Sequence, residues 1–369
     1  MEERNEPIRV LQVLTGMGSG GAEAFLMNMY RNIDRSKVQF DFLLRSHENI
    51  YENEIEALGG KVYYTASFPR HYFKNKEQVR TIFNEHNYSA VHVHANTLLY
   101  MTALAEAKRA GIRCRIMHSH STFAKYKATI LIHKHNQRQI DKLATCELAC
   151  SEAAAEWMFG KQCTVIKNAI DLEKFKFDEV ERQSLRTEMG ISQNAFVLGH
   201  VGRFLPVKNH KLILEVFCKI QKTKKDAVLV LVGTGELFGK IQEYTYKLGI
   251  SANVRFLGVR KDINRILNVF DSFIFPSLYE GLGISLIEAQ ANGLEIFCSE
   301  RIPQETIVSK SVHIIGLAQG AEYWAEAILM GNHMRNNNIG ILRDAGFDIQ
   351  EEAKKLQEIY LSGTEAKNE

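Results

Sequence analysis

The chain has 369 residues, of which 45% are hydrophobic, and its 46 basic and 43 acidic side chains leave a formal net charge of +3. This length is typical of two domains that each bury a core, and the near balance of charge argues against a dedicated nucleic-acid binder. The polar N-terminus is not a signal peptide, and no uncharged apolar stretch approaches the ~20 residues of a membrane-spanning helix. We therefore expect a soluble, cytoplasmic protein whose contact with an anionic membrane is at most peripheral.

Apolar runs of strand length alternate with helical patterns along the chain, which is typical of βαβ units packed around buried parallel sheets. In the first half we predict strands at residues 9–14, 38–44, 61–65, 90–94, 113–118, 148–150 and 164–167, separated by helices such as 22–33 and 97–110. A second series of strands follows at 196–201, 227–232, 254–257, 272–276 and 295–298, and an amphipathic helix lies at about 349–361.

The two series of strands predict an α/β fold with two doubly wound, Rossmann-like domains that face each other across a cleft. We place the first domain at residues 1–172 and the second at 195–345, joined by a charged linker at 173–194 and followed by a C-terminal helix at 346–369. Ligands of such sheets bind at the carboxyl ends of the strands, so chemistry is expected in the loops that follow strands.

The most informative stretch is PSLYEGLGISLIEAQANG, residues 276–293, which follows a predicted strand and enters a helix. Glu280 and Glu288 flank a turn whose glycines let backbone amides approach a ligand closely. The start of the helix is a ready site for a diphosphate, and carboxylates beside it can accept hydrogen bonds from sugar and ribose hydroxyls. The residues alone leave another interpretation open, in which Ser285-x-x-Glu288 is a capping box and Glu280 is an exposed turn residue.

Two further loops follow predicted strands. In GRFLPVKNH, residues 202–210, Arg203 and Lys208 can neutralise a diphosphate leaving group, although this loop taken alone is better explained as a solvated surface pair. The loop GMGSGGAE, residues 16–23, departs from the dinucleotide spacing G-x-G-x-x-G, and leucines stand where a ribose-binding carboxylate is needed. A dehydrogenase is therefore disfavoured, while the loop either brings amides to a phosphate or sugar or is a bare tight turn.

Four histidines, His92, His94, His118 and His120, lie at or near the ends of two predicted strands. Histidines two apart on a strand point the same way and can bind metal, but no third ligand such as a DxD or HxxE pattern accompanies them, so a metal site is disfavoured. For His118 we favour a hydrogen bond to a sugar hydroxyl or to developing charge, and for His92 a satisfied position in the core. The six cysteines form neither a Cys-x-x-Cys pair nor a zinc pattern, which predicts reduced thiols.

Lysines alternate with aromatic and aliphatic residues at 71–76 and 121–142. Such a surface suits anionic lipid headgroups, although an ordinary solvated helix and loop explain the pattern at least as well. Our hypothesis is that this region meets a lipid-linked acceptor and that Lys125, Lys127 and Lys134 contribute to the contact.

Taken together, these segments resemble the family 4 glycosyltransferases, retaining enzymes with the two-domain GT-B fold. The resemblance runs along most of the chain and rests on GGAE at 20–23, HSH at 118–120, CSEAAAEWMFG at 150–160, NAID at 168–171, GRFLPVKNH at 202–210 and EGLGISLIE at 280–288. The last segment has the paired glutamates of the family, and the whole is most similar to bacterial capsule and exopolysaccharide transferases.

The resemblance implies a role for each matching residue. His118 and Glu280 would be the catalytic residues, both in contact with the donor sugar. The donor-binding residues would be Gly20 and Gly21 (phosphate), Arg203 and Lys208 (diphosphate), Val259 and Arg260 (base), Gly281, Leu282 and Gly283 (sugar, through their amides) and Glu288 (ribose). The C-terminal helix would pack back on the N-terminal domain.

The implied reaction is a retaining transfer of a sugar from a nucleotide diphosphate, UDP by analogy, to a saccharide or polyprenyl-linked acceptor in capsule or exopolysaccharide synthesis. No cofactor, metal or nucleic acid is expected, because the chain has no DxD motif and its cations would stabilise the leaving group. Two alternatives stay open: a nucleotide-sugar 2-epimerase, which shares this fold, and a catalytically silent subunit that supports a partner transferase.

Overall fold

The computed structural model describes residues 6–18, 20–124 and 126–365. The chain divides into two compact units, the first made of Met1–Ala169 together with Ile349–Glu369 and the second of Ile170–Asp348. Each unit has its own parallel sheet and its own hydrophobic core. This confirms the predicted α/β fold with two doubly wound domains.

Seven parallel strands form the sheet of the first unit. They are β1 (Ile8–Leu14), β2 (Val38–Leu44), β3 (Val62–Tyr64), β4 (Ala90–Ala95), β5 (Cys114–Ser119), β6 (Cys146–Ala149) and β7 (Thr164–Val165). The α-helices between them are α1 (Gly21–Asn32), α2 (Glu52–Ala57), α3 (Tyr72–Glu85), α4 (Thr102–Arg109), α5 (Lys127–Gln137) and α6 (Glu152–Phe159). The spatial order β3-β2-β1-β4-β5-β6-β7 reverses between β1 and β4, and ligands of open α/β sheets bind at such a point.

Six parallel strands form the sheet of the second unit. They are β8 (Val197–Val201), β9 (Val228–Val232), β10 (Val254–Phe256), β11 (Ser272–Phe275), β12 (Glu295–Ser299) and β13 (Val312–Ile315). The α-helices are α7 (Glu179–Glu188), α8 (His210–Thr223), α9 (Phe238–Lys247), α10 (Ile263–Ile266), α11 (Ile284–Ala291), α12 (Gly320–Met330) and α13 (Ile339–Asp344). The order β10-β9-β8-β11-β12-β13 reverses between β8 and β11, so the loops after these two strands are neighbours.

The chain then returns to the first unit in helix α14 (Ile349–Thr364). Its Ala353, Leu356 and Tyr360 recur at helical spacing, and all three are buried in the core of the first unit. The ring of Tyr360 meets that of Phe40 edge to face, with 5.7 Å between the ring centroids. Helix α14 is therefore part of the hydrophobic core of the first unit and does not merely lie on its surface.

The predicted linker at residues 173–194 is wrong, because this segment belongs to the second unit. Helix α7 begins after Asp178, whose carboxylate accepts hydrogen bonds from two backbone N–H groups of the first turn. The fully buried Arg186 donates from Nη2 to Oδ2 of Asp271 at 2.8 Å. The charges that indicated a solvated linker are those of a helix with one face in the core.

Strand β13 is not predicted from the sequence. It lies at the edge of its sheet and pairs only with β12, and its central residues His313 and Ile314 are exposed. An edge strand of this kind lacks the continuous apolar run that marks the buried strands. Across the residues described here, we find no helix that combines the length and the hydropathy required to span a membrane.

Candidate functional site

Loops that follow four strands of the second unit meet at one edge of its sheet. The N–H of Gly233, after β9, donates to the carbonyl of Gly258, after β10, at 2.8 Å. The N–H of Leu278, after β11, donates to the carbonyl of Val207, after β8, also at 2.8 Å. These backbone bonds bring GRFLPVK and PSLYEG side by side, as expected for neighbouring strands at a reversal of strand order.

An ion pair links the two loops. The ammonium of Lys208 lies 2.6 Å from Oε1 of Glu280, and the side chains are only 16% and 10% exposed. The same ammonium lies 4.8 Å from the ring centroid of Phe275, a favourable cation–π arrangement. Arg203 is exposed, and its guanidinium has no ion-pair partner among the residues that the structure describes. Two residues predicted to bind different parts of a donor thus lie in direct contact, and Arg203 lies in the same loop as Lys208.

The turn between the two glutamates places backbone amides at the start of α11. Gly283 precedes the helix with φ of 79°, and no side chain in the described part of the chain caps the first turn. The capping-box interpretation of Ser285 and Glu288 is therefore wrong, and the turn Gly281-Leu282-Gly283 leads directly into a helix N-terminus without a side-chain cap. Such a terminus favours an anion.

Glu288 is the fifth of the eight residues of α11 and is partly buried. Its carboxyl has no hydrogen-bond partner within the described ranges, and burial raises its pKa to about 8. A carboxyl in this state is available to hydroxyl groups of a ligand, and any ligand that binds the ionised form will displace its proton.

The predicted base-binding loop follows β10. The side chain of Val259 is 73% exposed, which makes it an apolar surface at the edge of the site. Arg260 instead pairs with Asp262, with Nε to Oδ1 at 2.8 Å and Nη2 to Oδ2 at 2.7 Å. The guanidinium is thus held within its own loop, and the role of both residues toward a base stays a prediction.

A second glycine loop, Gly233-Thr234-Gly235, is not among the sites predicted from the sequence. Gly233 has φ of 131°, and a Cβ there would collide with the carbonyl oxygen of Gly202. The signal was present as a G-x-G pattern directly after the apolar run of β9. Only glycine lets these two loops approach each other so closely.

Four buried polar side-chain atoms near the same loops have no hydrogen-bond partner among the residues that the structure describes. They are Nε2 of His200, both ring nitrogens of His210 and Oγ of Ser277. Nδ1 of His200 donates to the carbonyl of Ile274 at 2.9 Å, so its Nε2 presents a lone pair. Burial lowers the pKa of His210 to about 4, which keeps this ring neutral near pH 7. Buried polar groups without a hydrogen-bond partner are uncommon in folded proteins. They indicate that water or a ligand completes the hydrogen bonding near these loops.

In the first unit, the four histidines form a stacked cluster at the ends of β4 and β5. One nitrogen each of His92, His94 and His118 lies within 4.8 Å of the others, so the argument that a histidine pair lacks a third ligand is wrong. These nitrogens instead engage one another and Gln12 in hydrogen bonds of 2.9–3.1 Å. His118 itself is 0% exposed, whereas His120 is partly exposed. Contact of His118 with a sugar stays a prediction, as does independence of metal.

The glycine loop of the first unit leads into α1. Gly20 precedes the helix, and a Cβ there would collide with the carboxylate of Glu23. A Cβ on Gly21 would meet nothing within 4 Å. Because that carboxylate is the far end of a flexible side chain and can move aside, the contact does not require glycine at position 20, and the phosphate contact of Gly20 and Gly21 stays a prediction.

The basic and aromatic segments of the first unit expose large apolar side chains. Phe73 is 83% exposed, Tyr126 64% and Leu131 72%. Lys127 and Lys134 lie on the same helix, α5, as Leu131, and Lys125 lies outside the described residues. The segment thus has the composition of a membrane-contacting surface, and the contact remains a hypothesis.

Comparison with known proteins agrees with this architecture. The chain matches the family "Glycosyltransferase Family 4" over residues 19–174 and "Glycosyl transferases group 1" over residues 181–329. It is 35% identical over 380 residues to EpsF of Bacillus subtilis (strain 168), a protein named as a glycosyltransferase, and the match covers 97% of each chain. It is 31% identical over 232 residues to an Escherichia coli protein, UDP-Gal:alpha-D-GlcNAc-diphosphoundecaprenol alpha-1,3-galactosyltransferase, covering 59% of each. The crystal structure of Anabaena Alr3699/HepE in complex with UDP superposes with a TM-score of 0.70 at 18% identity and covers 97% of each chain.

Two doubly wound sheets, with a cation–carboxylate site at the carboxyl edge of the second, define a GT-B glycosyltransferase. The chain belongs to the family 4 glycosyltransferases, and it is an enzyme that transfers a sugar from a nucleotide-sugar donor.

Proposed function

We propose that the protein transfers a sugar from a UDP-sugar, with retention of anomeric configuration and without a metal, to a saccharide or polyprenyl-linked acceptor in capsule or exopolysaccharide synthesis. The observation that carries this proposal is the Lys208–Glu280 pair beside an uncapped helix N-terminus. UDP and a lipid-linked acceptor are supported by the name of the Escherichia coli relative, and UDP also by the complex of the Anabaena protein. The polysaccharide role follows from the resemblance to capsule and exopolysaccharide transferases.

Leaving-group charge is the central electrostatic problem of this reaction. As the bond between sugar and diphosphate breaks, negative charge develops on the diphosphate, and Arg203 and Lys208 stabilise it together with the first amides of α11. In a site shielded from water such preorganised charge is worth far more than in solution. These groups take the part that a metal plays in enzymes with a DxD motif.

Glu280 acts as a positioner of the donor sugar rather than as a nucleophile. Its carboxylate already accepts a hydrogen bond from Lys208, which fixes it next to the cation that meets the diphosphate. A carboxylate held in this way accepts hydrogen bonds from sugar hydroxyls and orients the ring relative to the leaving group. Glu288 accepts hydrogen bonds from the ribose.

The test is a nucleotide-release assay with UDP-, GDP- and ADP-sugars, with and without a polyprenyl diphosphate saccharide, in the presence of EDTA. We expect release from one UDP-sugar only with acceptor, and the same anomeric configuration in donor and product by NMR. Conversion of UDP-N-acetylglucosamine without acceptor indicates a 2-epimerase. UDP binding without release from any donor indicates a silent subunit, and loss of activity with EDTA contradicts independence of metal.

Contact with an anionic membrane is proposed for the surface around α5. Reversing the charge of Lys127 and Lys134 together is expected to weaken binding to vesicles that contain anionic lipid, by about 1 kcal/mol for each lysine near the surface. A matched variant with two reversed lysines of the second unit, Lys219 and Lys222, should bind as the wild type does. Unchanged vesicle binding by the α5 variant contradicts the contact.

A further inference from the structure

A chain of buried hydrogen bonds connects helix α14 to His118. Nε2 of Gln12 on β1 donates to the hydroxyl of Tyr360 at 3.0 Å, and this hydroxyl lies 2.6 Å from Nδ1 of His92 on β4. Nε2 of His92 in turn lies 3.1 Å from Nδ1 of His118 on β5. All four side chains are 0% exposed, so no bulk water competes for these bonds.

The hydroxyl group of Tyr360 determines which atom carries each proton along this chain of hydrogen bonds. Tyr360 has a single O–H, and because its oxygen accepts from Gln12, that O–H is available to donate to Nδ1 of His92. A neutral His92 that accepts at Nδ1 carries its proton on Nε2 and donates it to Nδ1 of His118. His118 then carries its own proton on Nε2.

The second arm of the cluster fixes the orientation of the Gln12 amide. Nε2 of His94 lies 2.9 Å from Oε1 of Gln12, and Nδ1 of His94 lies 2.9 Å from Nε2 of His120. The carbonyl of Gln12 thus accepts from one arm while its NH₂ group donates to the other. A single amide therefore sets the direction of both arms, and a reversed amide would invert the proton order of each.

The groups along the chain keep these protonation states near pH 7. Burial holds the pKa of His92 and of His118 well below the ordinary value, so neither ring becomes a cation. Burial likewise raises the pKa of Tyr360 well above its usual range, so the hydroxyl keeps its proton.

The chain of buried hydrogen bonds ends at His118, in a ring nitrogen that has no partner among the described residues. Nε2 of His118 is buried and forms no hydrogen bond within the described part of the chain. The ring is held in place by the edge-to-face contact of Phe25, with 5.1 Å between centroids. A buried donor left unsatisfied is destabilising, so its presence points to an acceptor that completes the site.

We propose that Tyr360 is a positioning residue of the transferase: acting through His92, it holds His118 as the tautomer with its proton on Nε2, which presents an N–H donor to an oxygen of a bound substrate. The proposal rests on the proposed function and extends it to helix α14, which lies far along the chain from every motif of the family. The substrate group at this position is accordingly a hydrogen-bond acceptor, such as a hydroxyl, carbonyl or phosphate oxygen.

The experiment reads the tautomer directly. The full chain, labelled with ¹⁵N-histidine, is studied near pH 7.5 by two-bond ¹H–¹⁵N correlation, and the His118 signals are assigned by their loss in His118→Gln. We expect a protonated Nε2 and a bare Nδ1 in the wild type. A proton on Nδ1, or rapid exchange between the two tautomers, overturns the proposal whatever the activity of the protein.

Tyr360→Phe removes the hydroxyl and keeps the ring that packs on Phe40. We expect a mixture of His118 tautomers and a kcat reduced roughly tenfold or more, because a misassigned tautomer disables a catalytic histidine, while the KM for the UDP-sugar stays within about twofold. Leu356→Val trims the same helix without touching the network and should keep the wild-type tautomer. An unchanged tautomer in Tyr360→Phe overturns the proposal, and if this variant fails to fold, the wild-type spectrum decides alone.

Ligand titrations identify the source of the acceptor oxygen. UDP, the UDP-sugar and the polyprenyl diphosphate saccharide are added separately, with binding verified by calorimetry. A shift of the Nε2–H signal with the UDP-sugar but not with UDP assigns the oxygen to the donor sugar, and a shift with the lipid-linked saccharide assigns it to the acceptor. No shift with any bound ligand refutes the substrate contact. Absence of all binding refutes the proposed function and leaves the tautomer result intact.

Discussion

Replacing Glu280 by Gln is expected to separate turnover from nucleotide affinity. The substitution preserves the shape of the side chain but removes the charge that lies 2.6 Å from the ammonium of Lys208. If Lys208 binds the diphosphate, the two anions compete for it in the wild type. The variant therefore frees the cation for the diphosphate while it weakens the hold on the donor sugar.

The magnitude follows from the burial of the pair. A hydrogen bond to a charged group contributes about 1.5–3 kcal/mol when buried, and the residual exposure of 16% and 10% places this pair toward the lower end. Because about 1.4 kcal/mol corresponds to a tenfold change in binding, we expect UDP to bind roughly tenfold to thirtyfold more tightly. We expect kcat to fall about a hundredfold, since small misplacement of a reacting group has effects of that size.

Calorimetric titration with UDP and initial rates with the UDP-sugar measure the two quantities independently. Glu322→Gln is the matched control, because it removes the carboxylate of another lysine ion pair of the second unit, one whose side chains are more exposed. Exposed pairs contribute little, so this control should change neither quantity. If Glu280→Gln weakens UDP binding as much as it lowers kcat, Glu280 is a nucleotide ligand and the positioning role is wrong.

Three further predictions concern the second unit. If the ionised form of Glu288 binds the ribose as proposed, UDP affinity should rise with pH by up to about tenfold per unit below pH 8, because the pKa of this carboxyl is raised to about 8. Calorimetry in buffers of different ionisation enthalpy should then detect proton release on binding, and Glu288→Gln should abolish it. The free energy of unfolding should decrease as the pH is lowered from 6.5 to 4, by about 1.4 kcal/mol per pH unit from His210 alone. The reason is that the pKa of His210 is lowered in the folded state, so the unfolded chain takes up the proton first. Urea unfolding at pH 7 and pH 5 tests this sign, and a more stable protein at pH 5 contradicts it. Gly233→Ala should destabilise the folded protein by about 1–3 kcal/mol and abolish UDP binding, because φ of 131° is strained for alanine and its methyl group would collide with the carbonyl of Gly202. Thermal unfolding and titration with UDP measure the two effects. Gly239→Ala is the control, because a Cβ at that position meets nothing within 4 Å among the described residues.

The strands and the loops that carry chemistry are largely predictable from local pattern. Buried parallel strands are typically continuous apolar runs, so β9 is recognised nearly residue by residue, and the glycine-rich turn after β11 marks the start of a helix. Strand β13 is not recognised in this way, because its central residues are exposed to solvent.

Features that depend on contacts distant in sequence could not be predicted. Lys208 and Glu280 are 72 positions apart, and their pairing follows from the order of β8 and β11 in the sheet. The same is true of the third histidine, which joins a pair on β4 only because β5 is its neighbour. The predicted linker is wrong for a related reason: many of its charges are exposed, while the buried Arg186 pairs with a carboxylate 85 positions away.

The return of helix α14 to the first unit has a consequence for how the protein is made. The second unit is continuous in sequence, from Ile170 to Asp348, so all of its strands are available before α14 leaves the ribosome. The first unit emerges earlier but lacks the side chains of Leu356 and Tyr360 that close its core. Although domains generally fold in the order of their synthesis, here the unit that begins first is the one finished last. A released chain truncated after residue 348 should therefore hold a protected second unit and a first unit that remains open to protease.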